Sequence, residues 1–109
     1  VNTLKGTEMP AVAREGDSTS TGHGCDGSTT ITGPTGAGAS VFANNIAVEC
    51  AGDPTVVHRY GGKNCSAKHA ASINVGSGTV FVGNKALARI GDSTDGGSIT
   101  SGSPNVFAG

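Results

Sequence analysis

Histidine and cysteine cluster in one central stretch of this chain. The stretch reads VHRYGGKNCSAKH and contains two of the three histidines, His58 and His69, and one of the three cysteines, Cys65. The remaining histidine, His23, lies in an earlier glycine-rich segment together with Cys25. Imidazole nitrogens and thiolate sulfurs are the ligands that zinc and related metals prefer. An odd cysteine count also does not suit a framework made only of disulfides. These residue types therefore indicate a loop closed over a metal ion.

A short repeated element must position these residues. Each copy alternates small or apolar residues with polar ones and ends in a Gly-Asp turn, which is typical of a strand running into a turn. The three copies are residues 10–19, 46–55 and 86–94. The aspartates of the turns, Asp17, Asp53 and Asp92, recur in every copy. Their recurrence favours a turn-capping role over catalysis.

A second repeated element contains the phenylalanines. It consists of a strand, a glycine turn and another strand, and its copies are residues 29–44, 72–84 and 98–109. Apolar spacing of three and four residues never persists, so we expect little or no helix. These patterns predict a small all-β fold of three hairpin units in a pseudo-threefold arrangement. We expect Phe42, Phe81 and Phe107, one from each unit, to pack together inside it.

The loops after the three Gly-Asp turns differ in length, and the middle loop is the longest. Because each loop follows the same repeated strand, all three should emerge at the same end of the body. The histidines should therefore meet there as a consequence of the repeat. The candidate metal ligands at that end are His23, Cys25, His58, Cys65, His69 and Asp95.

Composition limits the class of protein. A chain of 109 residues is expected to form one domain, and its net charge of −1, with both signs interspersed, argues against nucleic-acid binding. No apolar run approaches the roughly 20 residues needed to span a bilayer, and the N-terminus shows no signal-peptide pattern. Residues 1–8 share no pattern with the repeats, so we expect them to be a tag or linker remnant.

The predicted core is thin. Glycine accounts for 19 residues and aromatic residues for only 4% of the chain, so the fold should need support from a metal, a disulfide or a partner. Cys50 falls inside an alternating run and is expected to be a small core residue. Cys25 and Cys65 could pair in an oxidising compartment. The chain contains no nucleophile elbow, and we do not expect an enzyme.

Several motifs resemble those of the PAAR-repeat proteins. They are PAVAR at residues 10–14, the repeated Ala-Arg at residues 88–89, GHGC at residues 22–25 and the closing GSPNVFAG at residues 102–109. The resemblance covers residues 9–109 as a single domain. It implies a small conical β-protein that caps the trimeric β-helical spike of a contractile injection machine, one cap per trimer, and sharpens the spike for piercing an envelope.

The resemblance also implies a location and a metal. Such a protein would lie at the tip of a phage baseplate spike or be secreted through a type VI apparatus. It would expose strand edges and apolar side chains at its base, where the spike covers them. An apical structural zinc ion would be bound by three histidines and one cysteine, and the histidines correspond to His23, His58 and His69.

The fourth ligand is left open among three residues. Similar family members have a cysteine where this chain has Asp95. We favour Cys65, because thiolate is the stronger ligand and this residue precedes His69 closely, then Cys25, then Asp95. The alternative function is a binding module that carries effector proteins in a secretion system. A metal-dependent hydrolase ranks third. No small-molecule substrate is expected.

Overall fold

The computed structural model describes residues 9–109, and the expected tag or linker at residues 1–8 lies outside the described residues. The described chain is all-β, as predicted, with ten short strands paired into five antiparallel hairpins and no α-helix. The strands are β1 (Ser18–Ser20), β2 (Ser28–Thr30), β3 (Phe42–Ala43), β4 (Ile46–Ala47), β5 (His58–Gly61), β6 (Ala67–His69), β7 (Phe81–Val82), β8 (Lys85–Ala86), β9 (Ser93–Thr94) and β10 (Gly97–Ser98). Two short 3₁₀ segments, Ala37–Ser40 and Lys63–Cys65, complete the regular structure.

Two of the hairpins, β3–β4 and β7–β8, have two-residue turns in which both residues have positive φ. These turn residues are Asn44, Asn45, Gly83 and Asn84, with φ between 58° and 69°. Asparagine and glycine tolerate this left-handed conformation, which matches the twist of the paired strands. A bridge between Ala11 and Phe107 supplies the third equivalent pairing. We call these three pairings the basal hairpins, with the Ala11–Phe107 bridge, which joins distant segments and has no turn of its own, included as the third.

The repeated strands meet in a closed ring of backbone hydrogen bonds, which we call the inner ring. Ala13 donates to the carbonyl of Ala88 (2.9 Å), Ala88 donates to Glu49 (2.9 Å), and Glu49 donates back to Ala13 (3.1 Å). Each residue stands four positions before the aspartate of its Gly-Asp turn. All three are 0% exposed. The closed cycle confirms the pseudo-threefold arrangement of the three units.

A second layer lies beyond the inner ring along each unit. Three isoleucine–threonine bridges link neighbouring units in this layer: Ile31 with Thr55, Ile73 with Thr94, and Ile99 with Thr19. The three isoleucines are 1–2% exposed and pack with Ala13 and Ala88 in one apolar cluster. The remaining hairpins, β1–β2, β5–β6 and β9–β10, continue from this layer. We call them the upper hairpins, because the inner ring and the isoleucine–threonine layer lie between them and the basal hairpins in each unit.

The phenylalanines do not form the core, so that prediction was wrong. Phe42, Phe81 and Phe107 are 59%, 56% and 50% exposed. Successive side chains of a strand point to opposite faces, and here the small neighbour of each phenylalanine faces inwards. Ala43 and Ala108 are accordingly buried beside the core cluster. The core side of these strands is thus filled by the residue that follows each phenylalanine, which leaves the ring on the outer face.

The Gly-Asp turns are capped by their own aspartates, as the repeat predicted. A side-chain oxygen accepts the backbone N–H three residues upstream in each unit: Asp17 from Arg14 (2.7 Å), Asp53 from Cys50 (2.8 Å) and Asp92 from Arg89 (2.8 Å). Cys50 stands where the other two units have arginine. It is a buried free thiol, as expected for a small core residue.

Replacement of Asp92 tests the contribution of these caps. The carboxylate also accepts hydrogen bonds from Nε (3.0 Å) and Nη2 (2.9 Å) of Arg89, and both side chains are largely buried. Asp92→Ala leaves the guanidinium and one backbone N–H without an acceptor, so we expect a loss of about 2–3 kcal/mol of unfolding free energy in urea titrations. Asp92→Asn retains an acceptor oxygen and should lose less. An Asp92→Ala chain as stable as wild type would mean that the cap contributes nothing.

No helix in the described part of the chain has the length and apolar character needed to cross a membrane.

Candidate metal site

Two of the three histidines are directly opposite each other on one upper hairpin. His58 begins β5 and His69 ends β6, and the two form a cross-strand pair. Directly paired residues have side chains on the same face, so both imidazole rings project to one side. Their ring centroids are 4.6 Å apart. The sequence spacing of these histidines is therefore explained by a hairpin that places both at its base.

The third histidine comes from the connection between β1 and β2. Thr21 organises this connection, since its hydroxyl donates to the carbonyl of Asp26 (2.5 Å) and accepts the N–H of His23 (3.1 Å). The backbone of Gly22 passes so close to Gly96 that a Cβ at Gly22 would collide with the Gly96 carbonyl. This close approach, which only glycine permits at φ +80°, places His23 beside the β9–β10 turn.

The same β9–β10 turn supplies the fourth group. Thr94 pairs with Gly97, so only Asp95 and Gly96 connect the strands. Asp95 has φ 57°, a left-handed conformation that aspartate tolerates better than most residues. The tight turn directs the carboxylate of Asp95 towards the three imidazoles. The third loop, the shortest of the three, thus contributes the fourth candidate ligand.

One atom from each of the four side chains lies at the centre of the cluster. Oδ2 of Asp95 lies 2.8 Å from Nε2 of His23, 2.7 Å from Nε2 of His58 and 3.1 Å from Nε2 of His69. Nε2 of His69 lies 3.2 Å and 2.9 Å from the Nε2 atoms of His23 and His58. Four donors around tetrahedral zinc, at bond lengths of about 2.0–2.1 Å, are separated by about 3.3 Å. The described residues His23, His58, His69 and Asp95 could therefore hold a metal ion.

A backbone contact orients the ring of His58. Its Nδ1 lies 2.9 Å from the carbonyl oxygen of Val56, and because a carbonyl only accepts, Nδ1 bears the proton. With Nδ1 occupied in this way, the ring can present Nε2, which points into the cluster, to a metal ion. A hydrogen bond from the distal ring nitrogen to a carbonyl is the usual support of a metal-binding histidine. His58 is also the most buried of the three histidines, with its side chain 3% exposed.

The histidines also set the protonation of the carboxylate. Burial by itself would raise the pKa of Asp95, but hydrogen bonds from His58, His23 and His69 outweigh it and hold the pKa below its ordinary value. Asp95 is therefore an anion at neutral pH. An anion in contact with three imidazole nitrogens is a suitable environment for a divalent cation.

An aromatic ring covers one side of the cluster. Tyr60 stacks on His69 with ring centroids 4.2 Å apart, and its centroid lies 5.9 Å from that of His23. Tyr60 was not among the predicted site residues. The signal was present, since Tyr60 follows His58 by two residues on one strand and should share its face.

Neither cysteine proposed as a ligand belongs to the cluster. Cys65, the favoured fourth ligand, forms a disulfide with Cys25, the second choice, and their Cα atoms are 5.7 Å apart. The expectation that Cys65 or Cys25 joins the histidines was therefore wrong, and the third candidate, Asp95, lies with them instead. The physical reason is the position of Cys65 in the 3₁₀ segment between β5 and β6, where it faces the β1–β2 connection.

An ion pair runs parallel to the disulfide. Asp26 accepts hydrogen bonds from the backbone N–H (2.8 Å), Nε (3.3 Å) and Nη2 (2.9 Å) of Arg59. Hydrogen bonds from the Arg59 side chain lower the pKa of Asp26 below its usual value. The β1–β2 connection is thus tied to the β5–β6 hairpin at two neighbouring points.

Comparison with known proteins assigns no family. No protein-family model matches this chain, and no curated protein matches it significantly.

Proposed function

We propose that this chain is a metal-stabilised structural cap that docks its basal hairpins on the end of a trimeric β-helical spike. The spike would belong to a contractile injection machine of the type VI or phage-tail class. The single observation that supports the proposal most strongly is the set of three exposed phenylalanines, Phe42, Phe81 and Phe107, on three equivalent basal hairpins. The resemblance of residues 9–109 to PAAR-repeat proteins points to the same function.

The partner is inferred from symmetry and chemistry. In each unit the phenylalanine follows a valine that is 37–41% exposed, namely Val41, Val80 or Val106. Exposed apolar groups that recur at equivalent places of one end of a protein are candidates for a partner-binding surface. Because the three apolar groups are related by a pseudo-threefold axis, a homotrimer with three equivalent apolar pockets matches them with one cap per trimer. A monomeric partner would match only one of the three groups.

The metal would make the opposite end rigid. We propose zinc, because three imidazoles and one carboxylate form a tetrahedral set that suits it. The four ligands come from all three upper hairpin regions, so a bound ion would tie the three units together at the tip. The core beneath the tip consists mainly of alanine, valine, isoleucine and threonine, and it benefits from such a cross-link.

Substitution of one basal phenylalanine tests the docking. Phe81→Asp places a charge in the proposed interface, and we expect it to abolish a complex with the cognate trimeric spike in size-exclusion chromatography with light scattering. Its fold and metal content should be unchanged, because the side chain is 56% exposed in the free chain. Val75→Asp is the matched control, since Val75 is 48% exposed and lies outside the basal hairpins.

The stoichiometry gives a second criterion. The wild-type chain should elute with the spike at one copy per trimer. Three copies per trimer, or equal loss of binding in the Val75 control, would count against the proposed mode of docking.

A further inference from the structure

We infer that the Cys25–Cys65 disulfide controls how tightly the cluster of His23, His58, His69 and Asp95 holds a divalent metal. The oxidised chain binds the metal tightly, and reduction of the disulfide weakens the binding. This inference rests on the proposed metal site and adds a mechanism that regulates it.

The disulfide lies next to two of the ligands. Cys25 follows His23 by two residues, and Cys65 precedes His69 by four. The bond joins residues 40 positions apart and connects the β1–β2 connection to the tip of the β5–β6 hairpin. No other covalent link joins the described parts of these two segments. Oxidation therefore fixes the distance between the segment that holds His23 and the hairpin that holds two other ligands.

Three of the ligands have supports that do not involve the disulfide. His58 and His69 are held by their cross-strand pairing, and Asp95 is held by the two-residue turn between β9 and β10. His23 differs, because it lies in a connection without strand structure. The start of that connection is anchored where Gly96 donates to the carbonyl of Thr21 (3.0 Å). Beyond His23, the ties to the hairpin are the disulfide and the contacts of Asp26 with Arg59.

The second tie is the weaker one. It consists of an ion pair between side chains that are 53% and 28% exposed, which restrains a loop only slightly, and of two hydrogen bonds from backbone N–H groups. Asp26 N–H donates to the carbonyl of Arg59 (3.1 Å), and Arg59 N–H donates to the Asp26 carboxylate (2.8 Å). These bonds are reversible, whereas the disulfide is covalent. Loss of the disulfide therefore leaves the segment around His23 held by hydrogen bonds alone, including that from its own N–H to the Thr21 hydroxyl, while the other three ligands keep their places. Ordering His23 again on metal binding costs conformational entropy, and this lowers the affinity.

The redox step is an ordinary thiol–disulfide exchange with a dithiol. Both cysteines are partly exposed, so a dithiol can reach them. One thiolate of the reductant attacks a sulfur of the disulfide, and its second thiolate resolves the mixed disulfide. Two electrons and two protons pass to Cys25 and Cys65, which become thiols, and the reductant becomes its own disulfide.

The experiment measures zinc affinity in two redox states of one chain. Cys50→Ala provides the background, because it removes the buried free thiol and prevents disulfide exchange with it. The oxidised protein and the protein reduced with dithiothreitol, then desalted without oxygen, are titrated with Zn²⁺ against a chromophoric chelator. We expect the dissociation constant to rise about 10–100-fold on reduction, the usual effect of losing a group that positions a ligand.

A variant without the two thiols separates positioning from ligation. Cys25→Ser/Cys65→Ser in the same background should bind Zn²⁺ as weakly as the reduced chain and should not respond to dithiothreitol. With Co²⁺ as the probe, all forms should lack the thiolate-to-cobalt charge-transfer band. A charge-transfer band in the reduced chain, with affinity equal to or above that of the oxidised chain, would overturn the inference, because a cysteine would then have become a ligand.

The remaining outcomes distinguish this inference from the proposed site. Equal affinities in both redox states, without a charge-transfer band, would overturn the redox control and leave the metal site in place. No zinc binding by the oxidised chain would overturn both. Unfolding of the reduced chain, seen by circular dichroism, would overturn the inference because the disulfide would then support the whole fold.

Discussion

Removal of the metal is expected to lower the melting temperature of the protein by roughly 15–30 °C. At free zinc about 1,000-fold above the dissociation constant, binding to the folded state alone adds about 4 kcal/mol to the free energy of unfolding. For a domain of this size, each kcal/mol corresponds to roughly 4–8 °C. The measurement is calorimetry of the zinc-loaded protein before and after treatment with a chelator, together with elemental analysis. One zinc per chain is expected before chelation.

Substitution of Asp95 tests whether its carboxylate is one of the metal ligands. Asp95→Ala removes the anion that contacts all three imidazoles, so it should weaken zinc binding at least 100-fold and abolish most of the response to chelator. Asp95→Cys offers a thiolate in the same turn and should retain the metal. Lys68→Ala, next to His69 and exposed, is the matched control and should behave as wild type. Retention of zinc by Asp95→Ala would show that the carboxylate is not a ligand.

The second large effect concerns Glu49, whose stability contribution should depend strongly on pH. Glu49 is 0% exposed, and neither carboxyl oxygen has a hydrogen-bond partner among residues 9–109. Burial, with a further contribution from the Asp53 carboxylate, raises the pKa of Glu49 from 4.5 to about 9. The folded state therefore holds one more proton than the unfolded state between these two values. The contribution of Glu49 to stability is therefore fully present below about pH 4.5 and is lost as the pH rises towards 9.

Replacement by glutamine isolates this effect. Each pH unit above the unfolded-state pKa removes about 1.4 kcal/mol from the contribution of Glu49 to the free energy of unfolding. By pH 7 the loss should be about 3 kcal/mol. Glu49→Gln cannot ionise, and its unfolding free energy should exceed that of wild type by an amount that grows from pH 5 to pH 9. Urea unfolding at several pH values, with metal saturated, gives the difference. Glu15→Gln, at an exposed position, removes a carboxylate that raises the pKa of Glu49 less than burial and Asp53 do, and it should reproduce only a small part of this dependence on pH. A difference that does not change with pH would show that Glu49 is not buried as a neutral acid.

The position of Glu49 in the inner ring explains why the sequence did not reveal it. The two equivalent residues are Ala13 and Ala88, which are small and apolar, whereas Glu49 reads as a polar residue of an alternating strand. Alternation predicts that such a residue faces solvent. Only the closed hydrogen-bond ring shows that this face points to the axis where three units meet. Burial on a symmetry axis is a property of the assembled units and leaves no local sequence signal.

Much of the fold did follow from the sequence. The recurrence of the Gly-Asp turns predicted three equivalent units, and the caps on Asp17, Asp53 and Asp92 confirm the role assigned to those residues. The convergence of His23, His58 and His69 followed from the same repeat, because loops that leave equivalent strands emerge at one end. These features depend on short sequence patterns that recur in each unit, so the sequence alone predicts them.

Tertiary structure alone decided the orientation of side chains and the pairing of distant loops. The sequence could not choose between the two faces of a two-residue strand, so the phenylalanines were placed inside although they face outwards. It also could not rank Cys65, Cys25 and Asp95, because their distances from the histidines depend on how three separate loops fold back. The sequence by itself determined a three-unit all-β body with histidines at one end. The packing of the loops decided that the two cysteines bond to each other and that Asp95 completes the cluster, because side-chain distances between segments far apart in sequence are set only when the chain is folded.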